Sequence, residues 1–306
     1  MPWEITVAGT LHLDDVTTPH GRRERQIGGS ALYFALAAAP LARVHLNGIC
    51  GQDTEAEVRA TLAGLPVDLD GLTVSPNPTF RWHAVHDFQR WVADTVAQEP
   101  GCEPEWQPSL SPAAAAAPVL FLGSMPPALQ SRVLSQSRAR LIGVDSMTCY
   151  TGPERASVLS VVTGCDVLFL NRTELTSLVP EAGGWRDAAE SLLGRGRLRA
   201  LVVKAGPAGA ALVTRSSVTE LAAAPVAIVV DPTGAGDGVA GGFLGRCAAA
   251  ERTDEGFFPE ALEEGLRAAA ATISTFGTRG LRELAVSTTA SFPSSDRQPS
   301  GGRVQP

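Results

Sequence analysis

The stretch Val229-Val230-Asp231-Pro232-Thr233-Gly234-Ala235-Gly236-Asp237 constrains this chain most. The apolar run from Val226 to Val230 reads as a buried strand that ends on Asp231. A helical pattern then runs to about Ala250. A strand that turns through glycine into a helix gathers free backbone N–H groups at one point, and the helix dipole adds roughly half a positive charge there. Such a point suits an anion, phosphate included, and glycine and alanine let the anion approach the backbone. Asp237 falls in the first helical turn, beside that point. A carboxylate repels phosphate, so its presence asks for a reason, and taking the proton of a hydroxyl that attacks phosphorus is one. The helix N-terminus lowers a carboxylate's pKa, so Asp237 is expected to be a weak base. The plainer alternative is that Asp-Pro-Thr-Gly is good turn chemistry and that Asp237 only favours the helix start. Gly236 to Gly241 also fits the dinucleotide fingerprint G-x-G-x-x-G. That fingerprint opens a βαβ unit, whereas the next segment here, Pro259 to Phe276, reads as another helix.

Composition narrows the class. With 306 residues, 44% of them hydrophobic, the chain can build one large α/β domain with an appendage. The net charge of −7 and the lack of any basic block argue against nucleic acid and anionic membrane as partners. Five scattered cysteines without C-x-x-C spacing read as reduced thiols in a cytoplasm. Met1 to Thr10 reads as a short strand and not as a signal peptide, and no apolar run approaches transmembrane length. The only lysine, Lys204, is followed by alanine, which excludes the Gly-Lys-Ser/Thr of a P-loop.

Along the chain, strands and helices alternate, which implies a mainly parallel sheet covered on both faces. Ile5 to Gly9 reads as the first strand. Asp14 and Asp15 follow it; one is a simple loop acid, and an acid at a strand end also binds sugar hydroxyls, because a carboxylate accepts two hydrogen bonds. Gly28 and Gly29 precede a helix running to Pro40, either as an ordinary turn or as a place where a ligand touches the backbone. Arg43 to Ile49 is the next strand, and Asp53 reads as the cap of the helix after it. Thr79 to Val96 alternates aromatic and polar residues as strands do, with Phe80 and Trp82 suited to stacking on a sugar ring or base. His83 and His86 lack a third metal ligand nearby and read as surface histidines. Pro100 to Pro118 is a connecting loop. Val119 to Gly123 and Arg140 to Asp145 are strands, the latter placing Asp145 on the side where such folds bind ligands. Val167 to Leu170 is another, followed by Asn171 and Glu174 at capping-box spacing. Leu201 to Lys204 runs into a turn holding Gly206 and Gly209. Gly241 and Gly242, inside a helix, call for close packing against the sheet or a ligand. Gly277 stops the helix from Pro259 to Phe276.

The Asp231–Asp237 motif resembles the Asp-Thr-x-Gly-Ala-Gly-Asp signature of the ribokinase-like (PfkB) kinases of carbohydrates and nucleosides, with Pro232 in place of the usual threonine. The Gly-Gly pair, the Asn-x-x-Glu and the Gly-x-x-Gly recur in the family's order. The resemblance implies a three-layer α/β/α domain with a mainly parallel central sheet, built from 1–11, 28–77 and 99–290. A small β-sheet lid from 12–27 and 78–98 would cover the active site, and 291–306 would form a disordered tail. It implies ATP-dependent phosphorylation of a sugar or sugar-like hydroxyl; a nucleoside or cyclitol kinase and a non-catalytic sensor are the alternatives. Asp237 would be the base and the N–H groups of Gly234, Ala235 and Gly236 the phosphoryl site. Substrate would meet Asp14, Gly28, Gly29, Tyr33, Phe80 and Trp82, with Tyr33 standing at the family's usual asparagine. ATP would lie against Asn171, Lys204, Gly206, Gly209 and Gly277. Magnesium would be organised through water by Glu174, and the resemblance admits a potassium ion near Asp231 and a homodimer through the lid.

Overall fold

The computed structural model describes residues 2–290, so the expected tail, 291–306, lies outside the described residues. The inner strands of the large sheet are runs rich in Val, Leu, Ile and Phe buried on both faces, which is the pattern parallel strands require. In chain order its strands are β1 (Ile5–Ala8), β4 (Val44–Gly51), β5 (Val67–Ser75), β8 (Val119–Leu122) and β9 (Leu141–Asp145), then β10 (Val167–Asn171), β11 (Ala200–Lys204), β12 (Ala210–Thr214) and β13 (Val218–Leu221). The omitted numbers form a separate small sheet: β2 (His12–Thr18), β3 (Gly21–Gly28), β6 (Phe80–Asp87) and β7 (Val92–Glu99).

The nine strands lie in the order β13-β12-β11-β10-β9-β8-β1-β4-β5. All neighbours are parallel except β11–β12 and β12–β13. Alternate residues feed two cores. Val7, Phe121, Phe169 and Val202 pack with the helices Ser30–Ala38, Ala235–Ala250 and Phe258–Ile273. Leu120, Val144, Leu168 and Val203 pack with Pro127–Leu134, Arg155–Val162 and Trp185–Leu192 on the other face. This is the expected three-layer architecture. β1 lies between β4 and β8, so consecutive crossovers leave it in opposite directions, and the crevice at its carboxyl end is where such sheets bind ligands. The small sheet, ordered β3-β2-β6-β7, starts from that same end, because β2 follows β1 and β6 follows β5.

Helix Ala235–Ala250 runs between two others, and its glycines make that approach possible. A Cβ on Gly241 would lie 2.6 Å from the Phe34 carbonyl oxygen, and one on Gly242 would lie 2.8 Å from that of Glu264. The compensation for glycine inside a helix is therefore helix–helix contact, not contact with sheet or ligand. Among the described residues no helix is long and apolar enough to cross a membrane.

Several local expectations fail. Val226–Val230 is not a buried strand: Ile228 is 50% exposed, and the Val230 N–H donates to the Ile273 carbonyl at a helix end (2.8 Å). β12 and β13 take the sheet edge instead, as an antiparallel hairpin. Asp53 does not cap helix Glu55–Leu62, whose N-cap is Thr54; it accepts the Thr79 N–H and hydroxyl (both 3.0 Å) and so fixes the start of β6. The Pro100–Pro118 loop contains a short helix, Pro112–Ala116, capped by Ser111. The helix expected over Pro259–Phe276 is Phe258–Ile273, and Gly277 lies in the turn before a further helix, Arg279–Ala290.

Candidate active site

The Asp231–Asp237 turn is built around one glycine. Gly234, the residue before helix Ala235–Ala250, has φ +76°, and a Cβ there would lie 2.4 Å from the Tyr33 ring. Only glycine supplies that backbone and that clearance. Tyr33 is fully buried beneath the turn, and its ring also reaches the space beside Gly28. Asp231 ties the turn to its surroundings: one carboxylate oxygen accepts the Thr233 N–H (3.0 Å), the other the Gly277 N–H (3.2 Å). The Ala235 N–H is already used, donating to the Pro232 carbonyl (3.2 Å). Of the three N–H groups expected to face phosphate, those of Gly234 and Gly236 have no partner among the described residues.

One side of the turn carries a charge cluster at the carboxyl ends of β9, β10 and β11. Lys204 ends β11 and Asp145 ends β9, and their Nζ and Oδ2 atoms are 2.6 Å apart. Burial works against the Lys204 charge, but Asp145 and Glu174 outweigh it and raise its pKa, so the ammonium persists. A Cβ on Gly236 would lie 3.0 Å from Lys204 Nζ, so the ammonium stands at the helix start. Lys204 is thus a half-buried, paired group and not a solvated one. Asn171 and Glu174 form a complete capping box: the Asn171 side chain accepts the Glu174 N–H (2.8 Å), and Glu174 Oε2 accepts the Asn171 N–H (2.7 Å). Burial raises the Glu174 pKa to about 7, against the Lys204 charge. Gly206 and Gly209 bracket the turn that follows Lys204.

The other side is formed by the small sheet. Asp14 and Trp82 are register partners, as are His12 and Phe80. Asp14 is 2% exposed and its Oδ1 has no hydrogen-bond partner. Gly28 stands directly beside it, since a Cβ there would be 2.3 Å from Asp14 Oδ2. Gly29, at φ +99°, passes against the Thr10 carbonyl. Asp15 accepts from Arg81 (2.6 Å) and from the Arg25 N–H (2.8 Å), which makes it the structural acid of the pair. Phe80 lies against the His12 ring, with centroids 4.5 Å apart. Trp82 is held by its Nε1–H, which donates to Thr95 (2.9 Å).

Asp237 lies between these halves. Burial, then the Asp145 charge, raises its pKa to about 7, while Lys204 and His12 pull it down. The expected lowering by the helix N-terminus is thus overruled by desolvation. Neither His83 nor His86 is a free surface histidine. His83 pairs with Asp15 (3.1 Å), and His86, buried, hydrogen-bonds Thr233 across to the turn (2.9 Å). The sequence reading missed His12, whose position two residues before Asp14 puts it on the same strand face, and Glu103, which no motif marks.

A half-buried carboxylate beside a glycine turn, under a separate sheet, suits phosphoryl transfer to a small hydroxyl compound. Residues 5–283 match the family described as pfkB family carbohydrate kinase, and the chain belongs to that family. It is 30% identical to the cytidine kinase of Thermococcus kodakarensis over 251 residues, 79% of this chain and 87% of the relative. Its fold is that of the Cryptococcus neoformans ribokinase solved with ADP (TM-score 0.74, 18% identity, 93% of this chain and 99% of that one). The Salmonella enterica aminoimidazole riboside kinase, solved with its riboside and an ATP analogue, is similarly alike (TM-score 0.71, 18% identity, 94% and 99%).

Proposed function

We propose that this kinase transfers the γ-phosphoryl group of ATP to a hydroxyl of an uncharged sugar-like compound, with Asp237 as the base. The observation that carries this is the place of Asp237, which feels Asp145 and Lys204 on one side and His12 on the other. In the step, the acceptor O–H gives its proton to the Asp237 carboxylate. The oxygen forms the new bond to phosphorus, and the bond to the ADP oxygen breaks. The Gly234 and Gly236 N–H groups, with the Lys204 ammonium, stabilise charge on the phosphoryl oxygens. ATP would lie along Asn171, Gly206, Gly209 and Gly277.

Glu174 offers magnesium one hard oxygen donor, and among the described residues no cluster of three or more such ligands exists. That suits an ion held chiefly by phosphates and water, which would neutralise charge on the phosphates. Asp231 is 1% exposed and each of its oxygens accepts one N–H group, which leaves each a further lone pair for a potassium ion held beside the turn.

The acceptor half favours an uncharged compound. The largest charges acting on Asp14 are His12, Asp231 and Asp15, and those on Asp237 are Asp145, Lys204 and His12. Excess negative charge there disfavours sugar phosphates and sugar acids. The Thermococcus relative, named for cytidine, supports including nucleosides with free sugars and cyclitols. Asp14, Gly28, Gly29, Tyr33, Phe80 and Trp82 would surround the acceptor, with 12–27 and 78–98 as the lid on a core of 1–11, 28–77 and 99–290. All five cysteines are free and four are buried, in keeping with a cytoplasmic site of action.

ATP consumption and product mass, measured over free sugars, cyclitols, nucleosides and their phosphates, test this reading. Turnover of uncharged members alone is expected. Preference for a phosphorylated or acidic acceptor would overturn the account of the acceptor half.

A further inference from the structure

We propose that Glu103 is a positioning residue for the acceptor site: it fixes the His12 ring so that His12 Nδ1 and Asp14 Oδ1 together receive one substrate hydroxyl. This rests on the acceptor site described above. Glu103 Oε1 is 3.2 Å from His12 Nε2, and the opposite ring nitrogen, Nδ1, is 3.9 Å from Asp14 Oδ1. The second distance is too long for a hydrogen bond. It leaves Asp14 Oδ1 without a partner although Asp14 is 2% exposed. An unpaired buried acceptor costs about 1–3 kcal/mol, so the site is incomplete until something donates to it. One hydroxyl between the two atoms would donate to Asp14 Oδ1 and accept from His12 Nδ1–H, which is the capacity of a single O–H group. Phe80 covers the ring face.

Glu103 is itself held from both sides. The Cys102 N–H donates to the Pro78 carbonyl (2.8 Å), and Glu105 accepts from Ser75 (2.7 Å) and from Asn77. Trp106, next in the chain, is 3% exposed. The turn leaving the small sheet is therefore clamped, and Glu103 projects from it onto His12. The groups facing the pair are Asp14, Asp237 and Phe80 around His12, and Cys149 and Tyr150 beside Glu103. Burial lowers the His12 pKa, but the Glu103 hydrogen bond and charge, with Asp14 and Asp237, raise it above its ordinary value. The ring thus keeps both N–H groups to higher pH than it would without Glu103. Above its pKa it loses one, and the acceptor loses a donor.

The test is Glu103→Gln, which keeps the size and removes the charge. The His12 titration, followed by NMR and assigned among five histidines by His12→Asn, needs no substrate. It should move to lower pH in Glu103→Gln. Calorimetry with ribose and cytidine should give acceptor affinity about tenfold weaker at a pH between the two His12 titration midpoints, the loss expected of one hydrogen bond to a charged group, with ATP affinity and melting temperature unchanged. An unmoved His12 titration overturns the proposal whatever the ligand, as does acceptor affinity equal to that of the parent at every pH. If both probes bind but nothing is phosphorylated, the kinase reading fails and the positioning role stands.

Discussion

Asp237 stays half-protonated near pH 7, because burial and the Asp145 charge hold its pKa at about 7. A base must be ionised to work, so kcat should rise with pH through about 7 and level off above it, read from a pH–rate profile at saturating substrates. The same shift bears on stability. The folded pKa exceeds the unfolded value of about 3.9, so the native state binds the proton more tightly; that contribution is full below about pH 4 and is lost as pH rises through about 7. Asp237→Asn should therefore raise the melting temperature at pH 8 and leave it nearly unchanged at pH 4. A gain of the same size at both pH values would contradict the burial argument. Lys204 and Asp145 form the opposite case, a largely buried pair that is costly to halve. Lys204→Met should destabilise the protein by about 3–5 kcal/mol in urea unfolding. Adding Asp145→Asn should restore most of that stability but no activity, since the ammonium beside Gly236 is still gone.

At the scale of elements, the small sheet reaches the catalytic turn through His86, which hydrogen-bonds Thr233. His86→Ala should weaken acceptor affinity and lower kcat together, while ATP affinity holds; unchanged steady-state constants would show that the contact is only packing. Between the aromatics, Phe80→Ala should cost the acceptor about 0.5–1.5 kcal/mol, as loss of a ring contact does. Trp82→Ala should cost less, because its indole is already held by Thr95. How far these elements were legible differs for physical reasons. Asn171 and Glu174 announced their cap because a capping box is local chemistry, complete within four residues. Buried parallel strands such as Val167–Asn171 announced themselves as unbroken apolar runs. Val226–Val230 carries the same composition but misled, because its fate depends on β12 and β13 taking the sheet edge first. The links from Asp53 to Thr79, from His86 to Thr233 and from Glu103 to His12 join residues 26, 147 and 91 positions apart. No spacing rule reads such contacts. The pKa of Asp237 was misjudged likewise, since the helix dipole is local and the opposing burial is not.

For the whole molecule, the architecture was legible because strand–helix alternation and one motif agreed on it, while the sheet order came only with the structure. β7 is the outer strand of the small sheet, exposed along its length, with Val92 at 40% and Val96 at 68%. An unpaired outer edge of this kind is a template for pairing, and we propose a homodimer through it. Val96→Glu should then shift sedimentation from dimer toward monomer, and an unchanged species would place the interface elsewhere. In the proposed mechanism one half-buried carboxylate joins the phosphate-binding turn to the acceptor pocket and takes the proton in transfer. It is tested most directly by single-turnover phosphoryl transfer from ATP in Asp237→Asn, using the acceptor found in the substrate panel. The account predicts a transfer rate lower by about 10²- to 10⁴-fold, with ATP affinity held or improved because a negative charge beside the phosphates is gone. Transfer at the parent rate would remove Asp237 from the chemistry and contradict the account.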